Sequence, residues 1–141
     1  MNNNTTDSPT GTIQETANYL QISFSRAPKK NHDALARLGK QFVQWLDKYG
    51  VSSKIYYLNN NSGTTNTEVY EGLESITKII SISDDEELGV SLQFYRDQAH
   101  ADQVRSKMMQ DETFAPIGKE FDSLVSKGKS MISDGFSSLW T

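Results

Sequence analysis

One stretch of the chain joins a strand pattern directly to a helix pattern, and this junction limits the folds that the sequence can adopt. From Leu88 to Tyr95, aliphatic and phenyl side chains at even positions alternate with Gly, Ser, Gln and Tyr at odd positions. A period of two predicts a strand, because successive side chains of a strand point to opposite faces of the sheet. Asp97 is a residue type that caps helices, and Ala101, Val104 and Met108 follow at spacings of three and four. The stretch therefore predicts a strand that leads straight into a helix.

The apolar patterns in the rest of the chain predict a second unit in which a strand leads into a helix. In chain order they indicate a strand at Tyr19–Phe24, a long helix from about Asn31 or Asp33 to a left-handed cap at Gly50, and a strand at Lys54–Leu58. A β-rich run at Ser75–Ser83, a charged turn at Asp84–Glu87 and a loosely helical segment at 111–128 follow. The last predicted strand is Lys129–Leu139, in which Gly135 indicates a bulge or a close backbone approach. This order is βαββαβ. It predicts a ferredoxin-like α+β fold, with an antiparallel sheet covered by helices on one face.

Length and composition favour one globular domain without a metal or a membrane segment. The chain has 141 residues, of which 1–16 are rich in Asn, Thr and Ser and are expected to be a disordered tail before a single domain at 17–141. The net charge of -4 without a basic face argues against nucleic acid as a partner. There is no cysteine, and two separated histidines do not predict a metal site, so no cofactor is expected. No apolar run approaches the roughly 20 residues that span a bilayer, and no signal peptide is evident, which favours a cytoplasmic protein.

The second face of the predicted sheet indicates a partner. Several strand segments carry apolar residues at adjacent positions, such as Ile55 with Tyr56, so both faces of the sheet are apolar in places. A large uncovered apolar face predicts an interaction surface, and two-fold symmetric dimers are the commonest way to bury one. We therefore expect a homodimer formed through the sheet face.

Three segments resemble an uncharacterised family of short bacterial and archaeal proteins known as domain of unknown function 1428. They are YLQISFSRAPKKNHDALARLGKQFVQWLDKYGV, VSLQFYRDQAHADQVRSKMMQDE and FDSLVSKGKSMISDGFSSL, which together cover roughly residues 19–139. The resemblance implies a dimeric α/β barrel, a fold shared with small cofactor-free monooxygenases and with binding proteins. Two departures are visible: Asp97–Asp102 keeps the family's His without the basic residues around it, and extra residues separate Phe121-Asp122 from Gly128-Lys129. The family has no settled activity to transfer, and a fold alone does not supply one.

Five residues are candidate site residues. His100 is a potential general base because its side chain titrates near neutrality, and Arg96 is suited to an anionic substrate group. Trp45, Tyr56 and Tyr95 are candidates for the wall of a mostly apolar pocket. The alternative for His100 is a solvated or capping residue on the first turn of an exposed helix, and Trp45 equally suits core packing.

Three functions are compatible with these patterns. The first is a dimer that binds a small hydrophobic ligand between sheet and helices. The second is a cofactor-free enzyme resembling a monooxygenase. The third is a structural or interaction dimer without a ligand. A pocket that contains His100 would favour the enzyme.

Overall fold

A four-stranded antiparallel sheet is the centre of the fold in the computed structural model, which describes residues 16–58, 71–128 and 130–140. The strands and helices are β1 (Tyr19–Pro28), α1 (His32–Lys48), β2 (Ser52–Tyr57), α2 (Ile76–Ile79), β3 (Glu86–Tyr95), α3 (Gln98–Gln110), α4 (Ala115–Leu124) and β4 (Met131–Ser137). The strand order is β2-β3-β1-β4, with β1 and β3 in the middle. These helices and this antiparallel sheet confirm the predicted ferredoxin-like α+β fold.

The register of the sheet separates its side chains into two chemically different faces. β1 and β3 pair over ten positions, from Tyr19 opposite Tyr95 to Pro28 opposite Glu86. Odd-numbered strand residues face the helices: the Tyr57 ring, for example, contacts the ring of His32 on α1. Because side chains alternate, the even-numbered residues point to the other face, which we call the outer face.

Two helix ends are formed as the sequence predicts. Gly50 follows α1 with a φ of 76°, a left-handed conformation that glycine adopts without a Cβ penalty. Asp97 precedes α3 in an extended conformation, and its carboxylate accepts a hydrogen bond from the His100 amide at 2.8 Å. This bond satisfies one of the orphan N–H groups of the helix start.

The β-rich run predicted at Ser75–Ser83 is wrong. The structure has the short helix α2 there, and the Ser75 side chain caps it by accepting a hydrogen bond from the Thr77 amide. This local cap favours helix over the isoleucine alternation that indicated a strand. The charged turn is also shorter than predicted, since Glu86 already belongs to β3.

Gly135 makes room for a neighbouring side chain and does not mark a bulge. The pairing of β1 with β4 runs without interruption from Tyr19 to Ser25 and places Gly135 opposite Gln21. A methyl group added to Gly135 would overlap the Tyr19 hydroxyl. The close approach at Gly135 is therefore that of the Tyr19 side chain and not of a backbone segment, as the sequence had indicated.

The packed core lies at one end of the layer between helices and sheet. It contains the buried residues Trp45 and Leu46 of α1, Val51, Tyr95 at the end of β3, and Ala101 and Val104 of α3. Toward the start of β3, small and polar side chains occupy the helix-facing side of the sheet, and the interior is not filled there.

Two predicted segments lie outside the described residues, the N-terminal tail up to residue 15 and the polar loop at Asn59–Asn66. Within the described part of the chain, none of the helices has the length and apolar character that crossing a membrane requires.

Candidate functional site

A cavity of about 1100 Å³ separates the helices from the sheet. Its floor is the helix-facing side of the sheet, where apolar side chains (Ala27, Ile55, Tyr57 and Met131) lie around a central area of hydroxyls, amides and hydrogen. The residues of this central area are Gln21, Ser23 and Ser25 on β1, Gly89, Ser91 and Gln93 on β3, Ser53 on β2 and Ser133 on β4. In most α+β domains such positions carry large apolar residues that fill the core. The small side chains here are the physical reason why the space stays open.

The floor forms a hydrogen-bonded polar surface. Ser133 Oγ accepts a hydrogen bond from Gln21 Nε2 at 2.7 Å and lies 2.8 Å from Ser23 Oγ. Ser53 Oγ is shielded from solvent and has no hydrogen-bond partner among the described residues. Burying a polar atom without a hydrogen-bond partner costs free energy. The Ser53 hydroxyl is therefore suited to form a hydrogen bond with a water or with a polar group of a bound molecule.

The roof of the cavity is mostly apolar. Its aliphatic, aromatic and thioether side chains come from three helices: Leu35, Phe42 and Val43 of α1, Met108 of α3, and Ile117 and Phe121 of α4, together with Phe114. Polar and charged residues of the same helices also line it: Lys40, Gln44, Arg105 and Asp122. The rings of Phe42 and Phe114 lie 5.9 Å apart. A mostly apolar roof above a floor with a polar centre suits a molecule with one hydrophobic side and a few hydrogen-bonding groups on the other.

A histidine–glutamate pair lies in the cavity wall. His32 begins α1, and its Nδ1 is 2.8 Å from Glu87 Oε1 and 3.0 Å from Oε2. The hydrogen bond and the negative charge of Glu87 raise the pKa of His32 above its usual value, while desolvation opposes them and Asp33 adds a smaller increase.

Tyr95 lines the cavity where it meets the packed core. Its hydroxyl donates a hydrogen bond to Gln93 Oε1 at 2.8 Å, and burial raises the pKa of Tyr95 to about 12. The phenol therefore stays protonated at neutral pH and acts as a hydrogen-bond donor. Tyr95 is the one aromatic site candidate that the structure places in the cavity with its ring on the helix-facing side.

His100 and Arg96 are not among the residues that line the cavity. His100 is 3% exposed, and its ring connects two helix ends. Nδ1 accepts a hydrogen bond from the Arg96 amide at 3.2 Å, and Nε2 lies 2.8 Å from the Tyr49 carbonyl oxygen. These partners define the tautomer with the proton on Nε2. Arg96 itself is exposed beside Gly50.

Of the other two aromatic candidates, Trp45 is not among the residues that line the cavity, whereas Tyr56 is. Trp45 is buried in the core, where its indole N–H donates to Asp111 at 3.1 Å and its ring packs on Phe114 at 5.0 Å. Tyr56 borders the cavity at the β2 edge, but strand alternation places its ring on the outer face, in register with Val90.

Sequence reasoning missed His32, Glu87 and the polar floor. The floor had a visible signal, because Gln21, Ser23 and Ser25 alternate with apolar residues just as Gly89, Ser91 and Gln93 do. Pairing the two central strands places these six residues together. The His32–Glu87 pair had no such signal, since 55 positions separate the two residues, and they meet because β1, which sets Ala27 opposite Glu87, ends just before α1.

No group of three or more His, Cys, Asp or Glu side chains in the described part of the chain could hold a metal ion. The residues that line the cavity offer hydrogen bonding from the floor, apolar contact from most of the roof, and charged or titratable groups at His32, Glu87, Lys40, Arg105 and Asp122.

Fold and site together define an α+β domain of ferredoxin-like topology with a large interior cavity. The chain belongs to the family described as "Protein of unknown function (DUF1428)", whose model matches residues 18–123. No curated protein matches the sequence.

The fold is similar to that of SnoaB, a cofactor-independent oxygenase from Streptomyces nogalater, in the crystal structure of a mutant form of that enzyme. The TM-score is 0.51 and the sequence identity is 8%, with 89% of this chain and 97% of SnoaB covered. At this identity the likeness concerns the fold alone.

Proposed function

We propose that the protein binds a small organic molecule between sheet and helices, one with a hydrophobic body and a few polar groups. The observation that carries the proposal is the contrast between the two sides of the 1100 Å³ cavity, a mostly apolar roof and a floor whose centre consists of hydroxyls and amides. The volume of about 1100 Å³ lies just above the range of about 300–1,000 Å³ that ligand pockets occupy. Small side chains that leave such a space open give up the stability that core packing would provide. A function in ligand binding explains why the sequence accepts this loss.

A titration with 1-methoxynaphthalene, followed by its fluorescence, tests the proposal. Ser91 lies in the floor with its side chain toward the cavity, so Ser91→Leu replaces the hydroxyl with three carbons that occupy the binding space. We expect it to weaken binding by about tenfold or more, the effect of losing roughly 1.4 kcal/mol of binding free energy. Ser106→Leu, the same change on an exposed position of α3, is the matched control and should leave binding unchanged. Equal affinity in the Ser91→Leu variant and the wild type would contradict the proposal.

A cofactor-free oxygenase activity is the second candidate, and its support is the fold shared with SnoaB. Oxygen uptake by the purified protein, measured with an electrode in the presence of 1-naphthol, distinguishes it from simple binding. Uptake that stops in the Ser91→Leu variant would favour the enzyme, whereas binding without uptake would favour the binding protein for this probe.

We further propose that two copies pair through the outer face of the sheet. The centre of this face is apolar and consists of Leu20, Ile22, Phe24, Val90, Leu92 and Phe94, and its edges add Tyr56, Ile132 and Phe136. The three edge residues are 52%, 51% and 49% exposed. A contiguous apolar patch of this kind is characteristic of an interface.

Two charged residues at the edges of the outer face favour a second copy of the chain as the partner and favour one orientation of that copy. Lys54, Leu92, Ile22 and Asp134 form one row across the four strands, with the two charges at opposite edges. A two-fold axis parallel to the strands places β2 opposite the partner's β4, so each Lys54 meets the partner's Asp134. An in-plane axis perpendicular to the strands would instead bring like charges together, which is unfavourable at an interface.

Light scattering with charge-exchange variants tests this pairing. We expect the wild type to be a dimer, Lys54→Asp and Asp134→Lys to shift it toward the monomer, and the double exchange to restore the dimer. A monomeric wild type, or single variants that dimerise as well as the wild type, would contradict the proposed interface. Ligand binding in the cavity does not depend on the result.

A further inference from the structure

The two histidines of the described chain differ in what their ring nitrogens can still do. Both nitrogens of His100 have protein partners, the Arg96 amide and the Tyr49 carbonyl. His32 has a partner at Nδ1 alone, the Glu87 carboxylate, and no described residue forms a hydrogen bond with its Nε2. His32 also lines the cavity, whereas His100 does not.

The surroundings of His32 hold the ring in one position. The Glu87 carboxylate spans Nδ1 with both oxygens, and the Tyr57 ring contacts the imidazole edge-on at 4.7 Å between centroids. Glu87 is the more enclosed partner, with 14% of its side chain exposed against 39% for His32. Since a carboxylate only accepts hydrogen bonds, the neutral ring carries its proton on Nδ1 and keeps a lone pair on Nε2.

We propose that His32, positioned by Glu87, accepts the proton of an acidic hydroxyl, phenolic or enolic, on the molecule that occupies the cavity. This inference rests on the proposed ligand-binding function and specifies the class of ligand. In the step, the O–H bond of the ligand breaks and an N–H bond forms at His32 Nε2. The bonding electron pair stays on the ligand oxygen, which becomes a phenolate or enolate. Nothing is oxidised or reduced, and the imidazolium lies between Glu87 and the new anion.

The charges around His32 favour this proton transfer. The titratable groups that face or adjoin the ring are Glu87 on β3, Tyr57 on β2 and Asp33 on α1 itself. The two carboxylates raise the pKa of His32, so the folded protein stabilises the imidazolium that the transfer creates. The same arrangement, a carboxylate on Nδ1 and a reacting hydroxyl at Nε2, underlies general-base histidines.

Two probes that differ in one hydroxyl test the inference. 1-Naphthol carries an acidic phenol, and 1-methoxynaphthalene has the same ring system without the proton. We expect the wild type to bind 1-naphthol about tenfold more tightly than the ether, the effect of one hydrogen bond to a group that becomes charged. Naphtholate absorption of the bound probe should appear at a pH below that at which free 1-naphthol ionises.

Variants at the pair identify the roles of the two residues. His32→Phe keeps a ring against Tyr57 and should abolish both the tenfold preference and the naphtholate absorption, with the affinity for 1-naphthol compared in each variant with that variant's own affinity for the ether. Glu87→Gln can still accept from Nδ1 but lacks the charge. We expect it to move the onset of naphtholate absorption to higher pH and to lower the His32 pKa, measured by NMR of the imidazole ring, an effect that a merely structural role would not produce.

The outcomes separate this inference from the proposed function. If both probes bind the wild type equally, or if the preference survives His32→Phe, the role of His32 is wrong while the cavity still binds ligands. If neither probe binds, the ligand-binding proposal fails for aromatic molecules and the inference fails with it. NMR of the wild-type His32 ring in the presence of 1-naphthol gives a further readout that needs no variant: without protonation of Nε2 the transfer does not occur.

Discussion

Replacing His100 with alanine should destabilise the protein although this histidine lies outside the cavity. The ring is 3% exposed and holds the end of α1 to the start of α3 through its two nitrogens. His100→Ala removes both hydrogen bonds and leaves the Tyr49 carbonyl and the Arg96 amide without their partner. It also removes the edge-on contact with the Tyr95 ring, whose centroid lies 5.5 Å away.

The magnitude follows from these losses. Each backbone group that loses its partner costs about 1 kcal/mol, the low end of the range for unsatisfied groups, because water can reach part of this region. The volume vacated next to Tyr95 and Val104 adds about 1–2 kcal/mol. Alanine is a better helix former than histidine, which returns about 0.6 kcal/mol. The free energy of unfolding should therefore fall by about 2.5–3.5 kcal/mol.

Urea denaturation followed by circular dichroism measures this change. Gln103→Ala, an exposed position on the same helix, is the control, and its effect should stay within about 0.5 kcal/mol. A decrease below about 1 kcal/mol for His100→Ala would refute the assignment of His100 as a buried connector of the two helices.

Three further predictions concern residues outside the cavity floor. Glu86 accepts a hydrogen bond from Ser126, together with bonds from Ser83 and an ion pair with Arg26, and these lower its pKa from 4.5 to about 2. The ionised form of Glu86 thus contributes at most about 3 kcal/mol of stability, which is complete above pH 4.5 and is lost as the pH falls toward 2. Glu86→Gln should flatten that part of the curve of unfolding free energy against pH, and an unchanged curve would contradict this role of Glu86. Gly135→Ala should cost about 1–3 kcal/mol in urea denaturation, because the added methyl displaces the Tyr19 ring, and a neutral effect would refute that contact. Asp111→Asn should lower the urea midpoint and change Trp45 fluorescence, since the carboxylate accepts hydrogen bonds from the Trp45 indole and, at 2.6 Å, from the Tyr49 hydroxyl. An unaltered emission spectrum would contradict the hydrogen bond between Trp45 and Asp111.

Much of the architecture is readable from local patterns. Strict alternation between Leu88 and Tyr95 specifies both the strand and which residues share a face, and Asp97 and Gly50 mark helix ends through backbone chemistry that acts within a few residues. The same locality explains the error at Ser75–Ser83. There the alternating isoleucines indicate a strand, but a serine cap at the start of a four-residue helix determines the structure.

The site depends on contacts between distant segments, which a single sequence does not reveal. His100 and Tyr49 are 51 positions apart and His32 and Glu87 are 55 apart, so neither histidine's partner follows from spacing. The alternation gives both faces of β1 and β3 but does not say which face the helices cover. An apolar face usually points inward, whereas here the serines and glutamines do.

The most direct test of a ligand-binding cavity is to locate the bound probe by NMR. In a ¹³C-edited nuclear Overhauser experiment on the wild type with 1-methoxynaphthalene, we predict contacts from the aromatic protons to the methyl groups of Leu35, Met108 and Ile117 in the roof. Contacts confined to Leu20, Ile22 and Leu92 on the outer face, or none at saturating probe, would contradict the account.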